Sequence, residues 1–99
     1  MASKRYEWKI TKISNSARKK IESFDLNSQK ALIKNLHGLQ NNPFRKDIKK
    51  VEGKKNIYRV RVGDVRCYFR MISETKSIEI LMVDFRGQIK RKSIQKLKN

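Results

Sequence analysis

Three arginines and a tyrosine at alternating positions, Arg59, Arg61, Arg66 and Tyr68, are the residues of this chain best suited to chemistry. They lie in the stretch Ile57-Tyr58-Arg59-Val60-Arg61-Val62-Gly63-Asp64-Val65-Arg66-Cys67-Tyr68-Phe69-Arg70. An arginine's planar fork can clamp a phosphate and offset the charge that builds on it in a transition state. A tyrosine can stack on an unpaired base, the common way of holding single-stranded RNA. Together they describe work on a phosphodiester. A general base is not evident, because arginine stays protonated near neutrality. Two sources are compatible with the composition: a lysine whose pKa is lowered in a dense cationic patch, or an RNA that contributes by orienting its own 2′-hydroxyl.

Other chemistries find little support. One His and one Cys rule out the usual zinc frameworks. His37 has no Cys, Asp or Glu at ligand spacing and reads as a surface or helix-end histidine. Neither GxGxxG nor GxxxxGK[ST] occurs. The sparse acids form no magnesium-binding cluster. The expectation is therefore a metal-independent site with no cofactor.

The elements that must position these arginines follow from pattern. Gly63-Asp64 is a glycine-first pair suited to a two-residue hairpin loop. That loop sets Val62 opposite Val65, Arg61 opposite Arg66, Val60 opposite Cys67, Arg59 opposite Tyr68 and Tyr58 opposite Phe69. Cross-strand partners share a face. Tyr58, Val60, Val62, Val65, Cys67 and Phe69 then form an apolar face, and Arg59, Arg61, Arg66 and Tyr68 the other. Solvated charge on a half-exposed sheet is the plain reading of such a face. Setting Arg61 against Arg66 is unfavourable in isolation, however, and makes sense if a polyanion lies on the pair.

Upstream, Tyr6 to Ile13 alternates as a strand rather than a signal peptide. Asn15 or Ser16 caps a helix to about Phe24, with Ala17, Ile21 and Phe24 inward. Asp25 or Asn27 caps a second through Leu39, with a stripe of Leu32, Leu36 and Leu39 widened by Ile33. Asn41-Asn42-Pro43 ends it. The connector Phe44 to Asn56 carries Arg45, Lys46, Lys49, Lys50, Lys54 and Lys55. A third strand runs from Ile78 to about Phe85 after a Ser73–Ser77 turn. The tail holds Arg86, Lys90, Arg91, Lys92, Lys96 and Lys98, no acid, and a possible short amphipathic helix. Residues 1–99 thus read as one α+β domain: an N-terminal strand, a two-helix hairpin, a three-strand antiparallel meander and a short C-terminal helix. The helices cover one sheet face, and the arginine face stays open.

A net charge of +17, from 26 Lys+Arg against 9 Asp+Glu, favours anionic partners. No apolar run approaches the roughly 18 residues of a spanning helix. Cys67, alone and on the apolar face, reads as a buried free thiol suited to the cytoplasm.

The element order, the Lys50-Val51-Glu52-Gly53 lead-in, the Tyr58 to Arg66 hairpin and the Val83-Asp84-Phe85-Arg86 strand end resemble the RelE/ParE superfamily of toxin–antitoxin toxins. The resemblance covers nearly the whole chain. The RelE branch cleaves messenger RNA in the ribosomal A site, beside 16S ribosomal RNA, by attack of a 2′-hydroxyl on the adjacent phosphate. What the resemblance implies is that Arg59 and Arg61 match the two basic residues of the first hairpin strand, Arg66 the transition-state arginine, and Arg86 a basic residue near the leaving oxygen. Tyr68 and Phe85 offer aromatic faces to RNA. Arg45, Lys46, Lys49, Lys50, Lys54, Lys55, Arg91 and Lys92 would grip its backbone or the ribosome. An acidic cognate antitoxin is implied as a further partner, and no membrane. The chain departs from the pattern at Phe85, in place of a histidine or lysine, at Asp84, in place of glycine, and at Lys90, in place of tyrosine or histidine. Lys90 is then the amine standing in the terminal catalytic position. Two alternatives remain: a ParE-like protein that poisons DNA gyrase without cutting, and a basic RNA- or ribosome-binding module without catalysis.

Overall fold

The computed structural model describes residues 7–98. Its elements are β1 (Lys9–Ile13), α1 (Asn15–Glu22), α2 (Leu26–Asn41), β2 (Lys49–Lys50), β3 (Ile57–Val62), β4 (Val65–Ile72), β5 (Ser77–Phe85) and α3 (Arg91–Gln95), with a 3-10 turn at Arg86–Gln88. The five strands form one sheet in the order β1-β5-β4-β3-β2. The fold is α+β, as the pattern implies. The sheet is mixed rather than wholly antiparallel, because β1 runs parallel to β5. β2 is a two-residue strand inside the stretch read as connector, pairing Lys49 with Arg59 and Lys50 with Tyr58. The expected start of β1 at Tyr6 lies outside the described residues, and the strand begins at Lys9.

The hairpin forms in the register its turn dictates. Val62 pairs with Val65, Arg61 with Arg66, Val60 with Cys67, Arg59 with Tyr68 and Tyr58 with Phe69. Gly63 sits at φ +61°, the left-handed value that a two-residue loop needs at its first position and that favours glycine. Val60, Val65, Cys67 and Phe69 are buried in the main core, with Tyr58 and Val62 packed against it.

The helices cover that face. Ser14, one residue before the expected caps, accepts from the Ala17 amide at 3.1 Å and begins α1. Its hydroxyl also donates to the Leu81 carbonyl at 2.8 Å, tying the start of α1 to β5. Asp25 caps α2, accepting from the Ser28 amide at 3.3 Å and its hydroxyl at 2.6 Å. Those bonds hold the Asp25 carboxyl below its ordinary pKa. Leu32, Leu36 and Leu39 are buried, but Ile33 points out at 48% exposure and does not widen the stripe. The core joins these leucines to Ala17, Phe24, Trp8, Ile78, Ile80 and Val83.

The opposite face is not open throughout. Ile57 and Tyr68, whose side chains lie on it, are 0% and 2% exposed. Basic residues flank this second, smaller apolar patch, and the C-terminal segment lies beside it.

Candidate active site

Strand register arranges the polar face in three rows. Cross-strand neighbours stand about 4.5–5.5 Å apart and successive rows roughly 6.6 Å apart along the strands. The row nearest the hairpin turn is Arg61, Arg66 and Asp84. The middle row is Lys49, Arg59, Tyr68 and Met82. The far row is Ile57, Arg70 and Glu79. A β-bulge at Leu81, where register shifts between Tyr68 and Phe69, keeps Val83 in the core and turns Met82 and Asp84 to the polar side.

In the turn-end row Asp84 stands opposite Arg66 in the register, on the side away from Arg61. Asp84 also forms an ion pair with Lys20 of α1 at 3.7 Å and accepts from the Phe85 amide at 2.8 Å. Arg86 follows at the end of β5, its amide donating to the Asp64 carbonyl at 2.7 Å. That bond fastens the 3-10 turn to the hairpin loop and brings Arg86 to the same end of the sheet as Arg61 and Arg66.

The middle row opens into a cleft of about 750 Å³ lined by Lys49, Lys50, Val51, Glu52, Arg59, Tyr68, Arg91, Ile94 and Gln95. Three elements wall it: the β2 region, the β3–β4 ladder and α3. Four of its nine lining residues are cations and one, Glu52, is an anion, so the cleft suits an anionic guest. The Nε atoms of Arg59 and Arg66 are buried without a hydrogen-bond acceptor among the described residues, as are those of Arg45 and Arg70 outside the cleft. Arg59 and Arg66 are partly exposed, and a phosphate oxygen arriving on this face would meet their guanidinium groups.

The residues singled out from sequence divide accordingly. Arg59, Lys49, Lys50 and Arg91 line the cleft; Arg61, Arg66 and Arg86 form the turn-end cluster. Lys90 is exposed and takes the cap position before α3, so the cation that α3 contributes to the cleft is Arg91. Tyr68 lines the cleft but is only 2% exposed, which leaves too little of the ring for a base to stack on. Phe85 packs its ring on Phe24 at 4.8 Å and lies beside Val62 and Val65, on the helix side. Neither aromatic is placed as the expected stacking platform. Arg45 is engaged away from the cleft with Asn35 at 2.9 Å and Asp47 at 3.2 Å. Lys46, Lys55 and Lys92 are exposed and outside the cleft lining. Lys54 spends its amine within the protein, donating to the carbonyls of Gln95 at 2.9 Å and Leu97 at 2.5 Å. Sequence reasoning missed Val51, Glu52, Ile94 and Gln95 as cleft residues. Only the Lys50-Val51-Glu52-Gly53 lead-in hinted at the first two.

No family model and no curated protein matches the chain. Solved structures do. The RelE–RelB complex of the archaeon Pyrococcus horikoshii OT3 superposes with a TM-score of 0.72 at 25% identity, covering 84% of this chain and 99% of that one. The RelBE2 toxin–antitoxin complex of Mycobacterium tuberculosis gives 0.71 at 19% identity, covering 88% and 100%. The isolated RelE toxin of E. coli gives 0.70 at 16% identity, covering 89% and 93%.

Proposed function

We propose that this chain, which has the RelE toxin fold, is a ribosome-dependent endoribonuclease that cleaves messenger RNA in the A site and so halts translation. The observation that carries the reading is the pair of rows Lys49–Arg59 and Arg61–Arg66, set on one sheet face beside a cleft lined by four cations. In this reading the cleft holds the RNA backbone through Arg59, Lys49 and Arg91. Arg66 and Arg61 meet the scissile phosphate and offset the charge that builds on it as the 2′-hydroxyl attacks. Arg86 lies at the same sheet end, where a departing oxygen would be met by a cation. The ribosome orients the codon for in-line attack, supplying part of the acceleration through position alone. No metal or cofactor enters.

An antitoxin partner belongs to the proposal. Two of the structural neighbours were solved as complexes with antitoxins. A chain of net charge +17 selects an acidic segment by the same complementarity that selects RNA. The proposed setting is the cytoplasm; among the described residues no helix is long and apolar enough to cross a membrane.

The test is translation in a purified system with the cut sites on messenger RNA mapped. Cleavage at A-site codons only when ribosomes are present is the expected result. Translation that proceeds with intact message, alongside inhibited gyrase, would replace this reading with the gyrase-poisoning one. Stalled ribosomes on uncut message would leave a non-catalytic binder.

A further inference from the structure

Sequence alone makes Lys54 one more cation for the RNA backbone, but its geometry gives it a different task. α3 is five residues long, has no side-chain hydrogen bond at its cap and buries none of its residues. Its surroundings are cationic: the tail carries Lys90, Arg91, Lys92, Lys96 and Lys98 without an acid, against a face bearing Lys49, Lys50 and Arg59. Charge therefore pushes this segment away from the sheet. Half-buried Ile94 and Leu97 supply only modest apolar contact. What holds it is a set of three charged hydrogen bonds, from two side chains, to main-chain carbonyls. The Lys54 ammonium donates to Gln95 and Leu97 at 2.9 and 2.5 Å, at the C-terminal end of α3, where a cation also meets the negative pole of the helix. The Arg70 guanidinium donates to the Lys98 carbonyl while its other nitrogen pairs with Glu79 at 2.8 Å, so this anchor is itself braced by β5.

We infer that Lys54 and Arg70 are positioning residues that fasten α3 to the sheet and thereby set Arg91 in the wall of the cleft. Main-chain carbonyls are used because they are the acceptors a wholly basic segment still has to offer. The inference deepens the proposed RNA-binding reading and rests on it only for the consequence at Arg91. The anchoring itself is a property of the free protein.

Hydrogen exchange on the free protein tests the anchor directly. Lys54→Met keeps the aliphatic stem and removes the donor. Exchange at the amides of Ser93, Ile94, Lys96 and Leu97, which bond within this segment, is expected to speed up by at least about tenfold, the low end for losing even one charge-assisted bond. Protection in β3 to β5 stays as in the wild type, and Lys54→Arg restores protection at the tail. Unchanged exchange in Lys54→Met overturns the inference. A double-mutant cycle on affinity for a single-stranded, 2′-O-methylated RNA oligonucleotide then separates anchor from ligand. If Lys54 acts through Arg91, Lys54→Met costs affinity in the wild type and almost nothing in an Arg91→Ala background. Fully additive losses would make Lys54 a direct RNA contact and overturn the positioning role. A wild-type protein that does not bind the oligonucleotide would count against the RNA reading, with exchange alone deciding the anchor.

Discussion

Arg66 is the side chain on which two opposite demands converge. It faces a like charge, Arg61, on one strand and a carboxylate, Asp84, on the other, and its Nε is buried without a partner. We expect Arg66→Ala to keep the cooperative fold and lower the cleavage rate by about 10²–10³, the usual consequence of removing one preorganised donor. Single-turnover cleavage on programmed ribosomes, with circular dichroism as the fold control, checks it. Asp84→Ala exposes the same balance from the other side. It removes the carboxylate paired with Lys20 and opposite Arg66 in the register, so thermal stability falls at low ionic strength and recovers as salt is added. Cys67 is the contrasting case of a residue with no functional demand. Burial pushes its thiol up to about 12, so the native protein should resist thiol reagents at neutral and mildly alkaline pH. Rapid labelling of the folded chain would show that Cys67 is reached from solvent.

Among the elements, the β3–β4 hairpin decides the most, because the period of two in a strand assigns every side chain to core or site at once. Val60, between Arg59 and Arg61, is fully buried. Val60→Asp therefore places an unpaired carboxylate in the core cluster that also holds Leu32, Leu36 and Phe69, in the class of substitutions that cost more than about 4 kcal/mol. Loss of the cooperative melting transition is the expected outcome, and a variant that stays folded would contradict the register. The Asp25 cap of α2 gives a prediction about pH. Its carboxyl is held below 3.8 by the Ser28 hydroxyl and amide. A depressed carboxylate stabilises the fold fully above its unfolded value and loses that contribution as pH falls through the folded one. The difference in melting temperature between wild type and Asp25→Ala should hold at neutral pH and close below about pH 4. A gap independent of pH would mean that the charge contributes nothing.

For the molecule as a whole, charge sets how it meets its partners. With net charge +17 and a cleft that presents four cations against one anion, counterion release should govern RNA affinity. For a single-stranded oligonucleotide the logarithm of affinity should fall linearly with the logarithm of salt, by about 0.7 per phosphate neutralised. Arg59→Ala should flatten that slope by about one such increment, and Arg45→Ala, engaged with Asn35 and Asp47 away from the cleft, should leave it unchanged. Equal effects of the two substitutions would mean that the bound strand does not follow the cleft.

Local rules were enough to place the hairpin, its register, the two capped helices and the buried leucine stripe. Each depends on spacings of two, three or four residues that the chain carries within itself. Gly63 at the turn and Asp25 at the cap need only their immediate neighbours to act. The parallel pairing of β1 with β5, the burial of Tyr68 and the diversion of Lys54 depend on segments roughly 25 to 70 residues apart. No periodicity records which distant backbone will meet a given side chain. Tyr68 alternates with the core like any exposed residue, and only the packing around it shuts it away from a base. Lys54 looks like a free cation until the chain returns at Gln95 and Leu97 with carbonyls to bind it. Tertiary structure thus assigned the basic residues their separate tasks, because in sequence they share one charge and differ only in what is brought against them.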